Sequence, residues 1–456
     1  MLKIINPATE QLIKELPEDT ADSIQKKFNQ AKKAQKDWVK RPLSEKISIL
    51  RKFRDLATSQ KEKLAATLTS EMGKAISQSR NELSALSGRI DFFLENTEKE
   101  IAPENIWSDA GQKMNEKITY EPLGVIANIS AWNYPYFVGS NVFVPALLTG
   151  NAVLYKPSEF STLTGLAIAE LLHEAGVPKE VFQTVIGTGA VGAELLRQPV
   201  GGVYFTGSFG TGKKIAEGVA PRMIRLQLEL GGKDPAYICE DVEIKSAAES
   251  TADGAFYNTG QSCCSVERIY VHEKIYDAFV ESFLNTVKTF VLGDPMDDKT
   301  YIGAITRKPH LEFLEKQVAD AKGKGAKLLC GGRRVQRKGY YFEPTVFSNV
   351  THEMELMREE TFGPLIGIQK VRSDQEATEL MNDTLYGLTA GVYTRDQDRA
   401  KCILTEVNAG TAYWNCCDRV SSRLPWSGRK HSGIGSTLSH IGIQAFVQPK
   451  GWHLRG

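Results

Sequence analysis

Gly124-Val125-Ile126-Ala127-Asn128-Ile129 is the stretch that decides the fold, because it is a short apolar run, opened by glycine, with the length and composition of a buried β-strand. Three comparable runs follow it along the chain: Ala152–Tyr155, Val181–Ile186 and Gly202–Thr206. A helical pattern closed by Gly176 separates the second run from the third. Alternating strands and helices predict a parallel sheet covered on both faces, with ligands at the carboxyl ends of its strands.

A second set of strand patterns follows Glu229 and predicts a second α/β unit: Ala236–Cys239, Arg268–Val271, Leu365–Ile368 and Gly391–Tyr393. Upstream of the first set, the chain from Thr20 to about Glu98 has helical periodicity and a lysine-rich outer face, which we interpret as solvated. The polar, alternating segment from Ile106 to Tyr120 predicts a hairpin that stands apart from the core.

Composition excludes several classes of function. The 456 residues are 41% hydrophobic and 24% charged, which is typical of a soluble protein of two or three domains. A net charge of +1 provides no field for nucleic acid or an anionic membrane, and no apolar run approaches the roughly 18 residues of a membrane span. The start has no secretion pattern, and seven cysteines without CxxC or HxxxH spacing favour a reducing compartment and no metal site. We therefore expect a cytoplasmic protein.

Two glycine clusters lie between a predicted strand and a predicted helix. Gly187–Gly192 matches GxGxxG, but the acidic residue expected about 20 positions later is missing, because that position falls in the next strand. Thr206–Gly212 opens a helix whose free backbone amides could bind phosphate. Each cluster alone could be a tight turn, whereas the pair on neighbouring strand ends predicts a bound dinucleotide.

The stretch Phe256–Ser265 contains a candidate nucleophile. Apolar residues from Ile244 to Ala255 fall on one helical face, and Gly260 then lets the chain turn, so Cys263 is predicted at a helix end. A cysteine at the wall of a cleft becomes nucleophilic when positive charge or amide dipoles lower its pKa. The alternative is a buried cysteine that acts as a small hydrophobe.

Two polar residues could act together with this thiol. Asn133 follows a strand in Ile129–Pro135 and offers its side-chain amide as a hydrogen-bond donor. Glu229 lies among apolar residues in Leu228–Lys233, where burial would raise its pKa toward neutrality and suit a general base. The alternative for Glu229 is a capped or paired structural carboxylate.

These stretches, in this order, resemble the aldehyde dehydrogenase superfamily over essentially the whole chain. Thr206–Gly212 is similar to the family's phosphate-turn signature, Leu228–Lys233 to its glutamate signature and Tyr257–Cys263 to its cysteine signature. The resemblance implies an α/β aldehyde dehydrogenase fold with three parts. These are a Rossmann-like NAD-binding domain (residues 1–103 and 124–229), an α/β catalytic domain (230–430) and a β oligomerisation arm (104–123 and 437–456) that makes a homodimer or homotetramer.

The resemblance also implies the reaction. Cys263 attacks an aldehyde carbonyl, the side-chain amide of Asn133 and the N–H of Cys263 stabilise the alkoxide, and Glu229 activates water to hydrolyse the thioester to the carboxylic acid. One alternative is a dehydrogenase that passes the acyl group to coenzyme A, against which Glu229 argues. Others are a catalytically silent structural relative and an oxidiser of semialdehydes derived from amino acids.

For the cofactor, the resemblance implies contacts from Lys156 and Glu159 to the adenosine ribose, from Ser208 to the pyrophosphate, and from Glu360 and Phe362 to the nicotinamide riboside. The cofactor-binding residues predicted in this way are Trp132, Lys156, Ser158, Glu159, Gly189, Phe205, Gly207, Ser208, Leu230, Glu360 and Phe362. A carboxylate at Glu159 can accept both ribose hydroxyls of NAD but would repel the 2′-phosphate of NADP. NAD is therefore expected, with NADP less favoured.

The substrate pocket is predicted by position to contain Tyr134, Val138, Asn141, Tyr257, Ser262, Cys264, Val420 and Trp426. With Arg419 and Arg423 nearby, such a mixed lining would accept a small polar or anionic aldehyde such as succinate semialdehyde, although the two arginines could instead pair with surface carboxylates. Cys264 is interpreted as a wall residue, the alternative being a redox-regulatory disulfide. Trp426 and Ser427 depart from the family's usual Pro-Phe-Gly-Gly pattern, so no subfamily's specificity transfers.

Overall fold

The computed structural model describes residues 1–456. The strands are β1 (Leu2–Ile5), β2 (Leu12–Leu16), β3 (Glu104–Asp109), β4 (Met114–Pro122), β5 (Val125–Ile129), β6 (Ala152–Lys156), β7 (Phe182–Thr184), β8 (Gly202–Thr206), β9 (Arg225–Glu229), β10 (Asp234–Ile238), β11 (Val266–His272), β12 (Lys327–Cys330), β13 (Thr345–Ser348), β14 (Leu365–Val371), β15 (Thr389–Tyr393), β16 (Thr411–Trp414), β17 (Gly433–Ile434) and β18 (Val447–Arg455). The α-helices are α1 (Ala21–Trp38), α2 (Leu43–Ser59), α3 (Lys61–Met72), α4 (Ile76–Glu100), α5 (Pro135–Leu148), α6 (Thr162–Ala175), α7 (Gly189–Leu196), α8 (Phe209–Val219), α9 (Ile244–Phe256), α10 (Tyr276–Val287), α11 (Lys308–Gly323), α12 (Glu355–Arg358), α13 (Asp374–Asn382), α14 (Gln397–Glu406) and α15 (Ser439–Gln444).

The first sheet has six strands in the order β17-β9-β8-β5-β6-β7, all parallel except β17. Every residue of β5 and β6 is buried, as expected for strands covered by helices on both faces. The chain proceeds from β5 to β6 and β7 on one side and then to β8 and β9 on the other. This reversal creates a crevice at the carboxyl ends of β5 and β8, where ligands of doubly wound sheets bind.

The second sheet has seven strands in the order β12-β13-β14-β11-β10-β15-β16, with β12 as its antiparallel edge. The four strands predicted after Glu229 lie at its centre, which confirms a second α/β unit. Sequence patterns missed β9, β12, β13 and β16. β9 is exposed at its first residue and buried at its last three, and β12 and β16 are only partly buried, so neither alternation nor a continuous apolar run marks them.

The third sheet is antiparallel, in the order β18-β4-β3, and contains the predicted hairpin. The predicted arm segment that starts at residue 437 begins too early, because the chain joins this sheet only at Val447. Leu438, Ile443 and Phe446 are buried in the core of the first sheet instead. Apolar side chains therefore keep this part of the C-terminal segment on the main body of the protein.

The N-terminal helical region also departs in one respect from the prediction. Helices α1 to α4 cover it, and α1 begins with a capping box between Thr20 and Ser23. However, its charged residues are not all solvated, because Glu82 and Arg89 are buried on α4 and Lys74 is buried in the turn before it. No helix has the length and apolar character required to cross a membrane.

The turn between α3 and α4 gives a stability prediction. Gly73 ends α3 in the left-handed region (φ +85°), and an added Cβ would lie 2.9 Å from both Cβ and O of Ala304. Gly73→Ala is expected to lower the free energy of unfolding by at least about 1–2 kcal/mol. Gly88→Ala, at an exposed position inside α4 with no atom within 4 Å of the added Cβ, is expected to raise it by about 0.5–1 kcal/mol. Urea unfolding followed by circular dichroism measures both, and equal effects would contradict the prediction.

Candidate active site

A cavity of about 810 Å³ opens at the carboxyl ends of the first sheet and is also lined by residues of the second unit. Asn133, Glu229 and Cys263, the three residues proposed for the chemistry, all line it. It is also lined by every residue proposed for the cofactor: Trp132, Lys156, Ser158, Glu159, Gly189, Phe205, Gly207, Ser208, Leu230, Glu360 and Phe362. Side chains from distant parts of the chain therefore meet in one space.

Cys263 follows a break after α9, as the sequence predicted. Asn258 (φ 54°), Thr259 (φ 58°) and Gly260 (φ +71°) adopt left-handed backbone conformations in a short 3₁₀ turn. Only glycine fits at position 260, because an added Cβ would lie 2.2 Å from the carbonyl oxygen of Gly363. The turn leaves Cys263 half-buried at the cavity wall, where a thiol can reach a ligand.

Asn133 is held by a network of buried groups. Its Nδ2 donates to the carbonyl oxygen of Gln261 at 3.2 Å, and its own carbonyl oxygen accepts a hydrogen bond from Lys74 Nζ at 2.6 Å. Lys74 forms a salt bridge of 2.7 Å with Glu82, and neither side chain is exposed. Glu82 also accepts the N–H of Tyr136 at 2.9 Å, in the first turn of α5. The hydrogen bond to Gln261 thus holds the side-chain amide of Asn133 against the Cys263 loop, two residues before Cys263 itself.

Glu229 ends β9 in an apolar environment, between Leu228 and Leu230, both buried. Its Oε1 accepts long hydrogen bonds from Gln227 Nε2 (3.3 Å) and Thr437 Oγ1 (3.4 Å), whereas its Oε2 has no partner within the chain. Burial raises the pKa of Glu229 well above its ordinary value of 4.5. Glu229 is therefore buried among leucines, as the sequence predicted, and its carboxyl group is only weakly paired.

The loop that contains Glu360 and Phe362 is tied to the second sheet. Glu267 on β11 accepts the N–H of Phe362 at 3.0 Å and pairs with Lys233 at 2.6 Å. Glu360 accepts the N–H of Gly232 at 3.1 Å, and burial together with the nearby charge of Glu267 raises the pKa of Glu360 to about 8. Glu267 and Glu360 thereby tie this loop to the segment that follows Glu229.

The cavity fits a dinucleotide. Helices α7 and α8 both begin at its wall, and the Cβ positions of Gly189 and Gly210 have no atom within 4 Å, so a phosphate could approach the backbone closely. Glu159 has only a 3.5 Å contact with Ser158 Oγ, which leaves its carboxylate available to ribose hydroxyls. The ring of Trp132 lies edge-on to Phe160 (6.4 Å) and Phe362 (5.4 Å) and provides flat surfaces beside this space.

Sequence reasoning missed several residues of the cavity. Arg307, His310 and Phe313 line it from the start of α11. The guanidinium of Arg307 lies 5.4 Å from the ring centre of Phe160, and His310 Nε2 lies 2.9 Å from the carbonyl oxygen of Thr361. The only local signal is Pro309 in the first turn, which marks a helix start and not a ligand contact.

The residues predicted for the substrate pocket do not line this cavity: Tyr134, Val138, Asn141, Tyr257, Ser262, Cys264, Val420 and Trp426. Cys264 is buried, its Sγ donates to Asp418 Oδ1 at 3.0 Å, and it also contacts the thiol of Cys263. Asn141 Oδ1 accepts from Arg89 Nη1 at 2.8 Å. Trp426 is buried in the core of the first sheet, where its backbone pairs with Thr437.

The two arginines named above form no salt bridge, and the cysteines form no disulfide. Arg419 and Arg423 are exposed, and neither forms a salt bridge, so the expected surface pairing is absent. All seven cysteines are free thiols. No group of three or more histidine, cysteine, aspartate or glutamate side chains is arranged to hold a metal ion.

The orphaned carboxyl oxygen of Glu229 gives a pH-dependence prediction. Because its pKa is raised, the folded protein keeps a proton that the unfolded chain releases above about pH 4.5, so this residue's stabilising contribution is lost as the pH rises from 4.5 through the raised pKa. The Glu229→Gln variant has no ionisable group at this position, so it does not lose stability in this way as the pH rises. Its melting temperature relative to wild type is expected to increase from pH 5 to pH 8, while the exposed control Glu217→Gln shows no such trend. A constant difference across the series would contradict the prediction.

Comparison with known proteins identifies the family. The model of the aldehyde dehydrogenase family matches residues 1–451. Betaine aldehyde dehydrogenase, chloroplastic, from Amaranthus hypochondriacus is 34% identical over 462 residues, which cover 98% of this chain and 92% of that protein. Succinate-semialdehyde dehydrogenase [NADP(+)] from Deinococcus radiodurans is 32% identical over 447 residues (98% and 93%). The crystal structure of NAD-dependent aldehyde dehydrogenase from Sinorhizobium meliloti has a TM-score of 0.96 at 34% identity and covers 100% of this chain and 91% of that one. The chain therefore belongs to the aldehyde dehydrogenase family.

Proposed function

We propose that the protein oxidises an aldehyde to the carboxylic acid with NAD⁺ and water, through a thioester on Cys263. The observation that supports this proposal is the convergence of Cys263, Asn133 and Glu229 on a single cavity that also fits a dinucleotide. A nucleophile, a donor for a developing oxyanion and a water-activating carboxylate are the groups that acyl transfer through a thiol requires.

In the first step the thiolate of Cys263 adds to the carbonyl carbon, a C–S bond forms, and the π electrons of the carbonyl move to oxygen. The side-chain amide of Asn133 and the N–H of Cys263 donate to this alkoxide, and each such donor typically lowers the barrier by about 2.7–4 kcal/mol. NAD⁺ held by Glu159, Glu360 and Phe362 would supply the hydride acceptor, so that the alkoxide returns to a carbonyl as hydride leaves the carbon. The product on the enzyme is an acyl thioester of Cys263.

In the second step Glu229 removes a proton from water, and the hydroxide oxygen adds to the thioester carbonyl. The C–S bond breaks, the acid leaves, and Cys263 returns to the thiolate. The free Oε2 of Glu229 is the atom available to this water, and the raised pKa brings the carboxylate closer to the operating pH as a base. A base that activates water would hydrolyse the thioester, which argues against the alternative of acyl transfer to coenzyme A.

NAD is the proposed cofactor because of Glu159. Relatives of this chain include a protein named for NADP and a structure named for NAD, so similarity alone does not choose between them. Glu159 lines the cavity with a nearly free carboxylate, which can accept two ribose hydroxyls but repels a 2′-phosphate. We expect at least about a tenfold preference for NAD in kcat/KM.

The substrate is proposed to be a small polar or anionic aldehyde such as succinate semialdehyde. The protein is further proposed to be a homodimer or homotetramer assembled through the β3-β4-β18 sheet. This sheet exposes large apolar side chains that association would cover, namely Ile106, Trp107, Trp452 and Leu454.

The hydrolytic step gives a kinetic prediction. Glu229→Gln should still form about one NADH per active site rapidly, and then turn over about 10²–10⁴-fold more slowly than wild type, because the thioester is no longer attacked by activated water. Stopped-flow absorbance and mass spectrometry of the Cys263 peptide measure the burst and the acyl adduct. Cys263→Ala is the control and should show neither.

Other outcomes would support the alternatives. Release of acyl-CoA instead of free acid by wild type would favour the acylating enzyme. If wild type and Cys263→Ala were equally inactive over a broad aldehyde panel, the silent relative would be favoured.

The cofactor assignment gives another prediction. Glu159→Gln removes the charge but keeps the shape, so the ratio of kcat/KM for NADP to that for NAD should rise by about tenfold, equivalent to about 1.4 kcal/mol. Quenching of protein fluorescence on titration with each dinucleotide measures the same change as a Kd without turnover. Wild type that binds NADP as well as NAD would contradict the assignment.

A further inference from the structure

Arg89 is a buried cation without an anionic partner. It lies on α4 facing α5, only 7% exposed, with its guanidinium carbon 4.2 Å from the ring centre of Phe137. Its one hydrogen bond within the chain runs from Nη1 to Oδ1 of Asn141, a neutral amide, at 2.8 Å. Burying a guanidinium against an aromatic ring and a single amide is unfavourable unless another group completes its hydrogen bonds.

Two other buried cations each pair with a carboxylate, whereas Arg89 does not. Lys74 pairs with Glu82, and Lys233 pairs with Glu267. Glu82 lies two helical turns before Arg89, but its carboxylate is already neutralised by Lys74 and by backbone N–H groups of α5. Burial lowers the pKa of Arg89 to about 10, so the guanidinium remains charged at neutral pH.

The remaining donors of this pair are unused within the chain and keep some accessible surface. Neither the other nitrogens of Arg89 nor Nδ2 of Asn141 hydrogen-bond within the chain, and none of them is among the fully buried, unsatisfied atoms. The guanidinium also lies near the thiol of Cys264. Cys264 follows Cys263 directly, and α5, which bears Asn141, begins two residues after Asn133.

We propose that Arg89 and the side-chain amide of Asn141 together bind an anionic group at the far end of the substrate. The substrate class is then a short aldehyde with a carboxylate at its other end, such as a dicarboxylic semialdehyde. This inference rests on the proposed function, and it assigns charge recognition to Arg89 instead of the exposed Arg419 and Arg423.

Asp418 is the competing charge in this region, and it would favour a cationic substrate. Its Oδ1 already accepts from Cys264 Sγ at 3.0 Å and from Ser262 Oγ at 3.4 Å. Burial raises the pKa of Asp418 to about 7, so near neutral pH a large fraction of it is uncharged. Arg89, by contrast, is fully charged and has more unused donors, which is why the structure favours an anion.

Three aldehydes with a four-carbon chain and different tail charge test the proposal: succinate semialdehyde, butanal and 4-trimethylammoniobutanal. Arg89→Gln is expected to raise the KM for succinate semialdehyde by roughly 10–100-fold, with kcat within about threefold and butanal unchanged, because only the anionic tail loses a charged donor. Arg89→Lys should recover part of the affinity. Asp418→Asn, the matched control on the competing charge, should not raise the KM for succinate semialdehyde.

A binding measurement keeps the test independent of turnover and of variant folding. Succinate, which has the same anionic tail, should raise the melting temperature of wild type but not of Arg89→Gln. Asn141→Asp, which supplies Arg89 with a carboxylate from within the chain, should lose the effect of succinate in the same way. Each variant is compared with its own melting temperature in the absence of succinate.

Several results would overturn the proposal. An equal rise in the KM of Arg89→Gln for butanal and for succinate semialdehyde would show that Arg89 has only a structural role. If 4-trimethylammoniobutanal were the best substrate and Asp418→Asn impaired it, the cationic class would replace the anionic one. Wild type that oxidised no aldehyde would refute the proposed function, whereas a succinate shift unchanged in Arg89→Gln would refute the anion site alone.

Discussion

The buried salt bridge between Lys74 and Glu82 fixes the position of the reaction centre. Lys74 lies in the turn between α3 and α4, and its ammonium group bonds both Glu82 and the carbonyl oxygen of Asn133. Glu82 accepts backbone N–H groups at the start of α5, where a negative charge also complements the helix dipole. Removing one partner of such a pair typically costs about 3–5 kcal/mol, because the other charge is left buried and unpaired. The N-terminal helices are therefore tied directly to the loop that contains Asn133.

A second buried pair has a parallel role on the other side of the cavity. Lys233 follows Glu229 by four residues and pairs with Glu267 on β11, whose carboxylate accepts the N–H of Phe362. Each pair is fully enclosed, and each holds a loop that has no secondary structure of its own at the point of contact. Loops positioned in this way can face a ligand without losing their geometry, which chemistry at a carbonyl carbon requires.

Much of the fold and part of the site could be predicted from the sequence, for reasons that differ by residue. β5, β6 and β8 are short, mainly apolar runs. Cys263, Glu229 and the Gly207–Gly212 turn lie in local patterns that give a chemical reason for each residue. Lys74, Glu82 and Arg89 could not be recognised, because a charged residue in a lysine-rich helical region is usually solvated and nothing local marks its partner. Their roles depend on contacts with α5, about 50 to 60 residues further along the chain.

The Cys263 loop separates two environments of different chemistry. Cys263 lines the cavity that fits a dinucleotide, whereas the thiol of the next residue, Cys264, is buried in contact with both the Cys263 thiol and Asp418. On one side Glu229 leaves an oxygen without a partner, and on the other Arg89 leaves guanidinium donors without one. Leaving these two groups unpaired within the chain costs stability. Under the two proposals, water hydrogen-bonds to the carboxyl group of Glu229 and the anionic end of the substrate binds the guanidinium of Arg89. The reacting carbon then lies between these two groups.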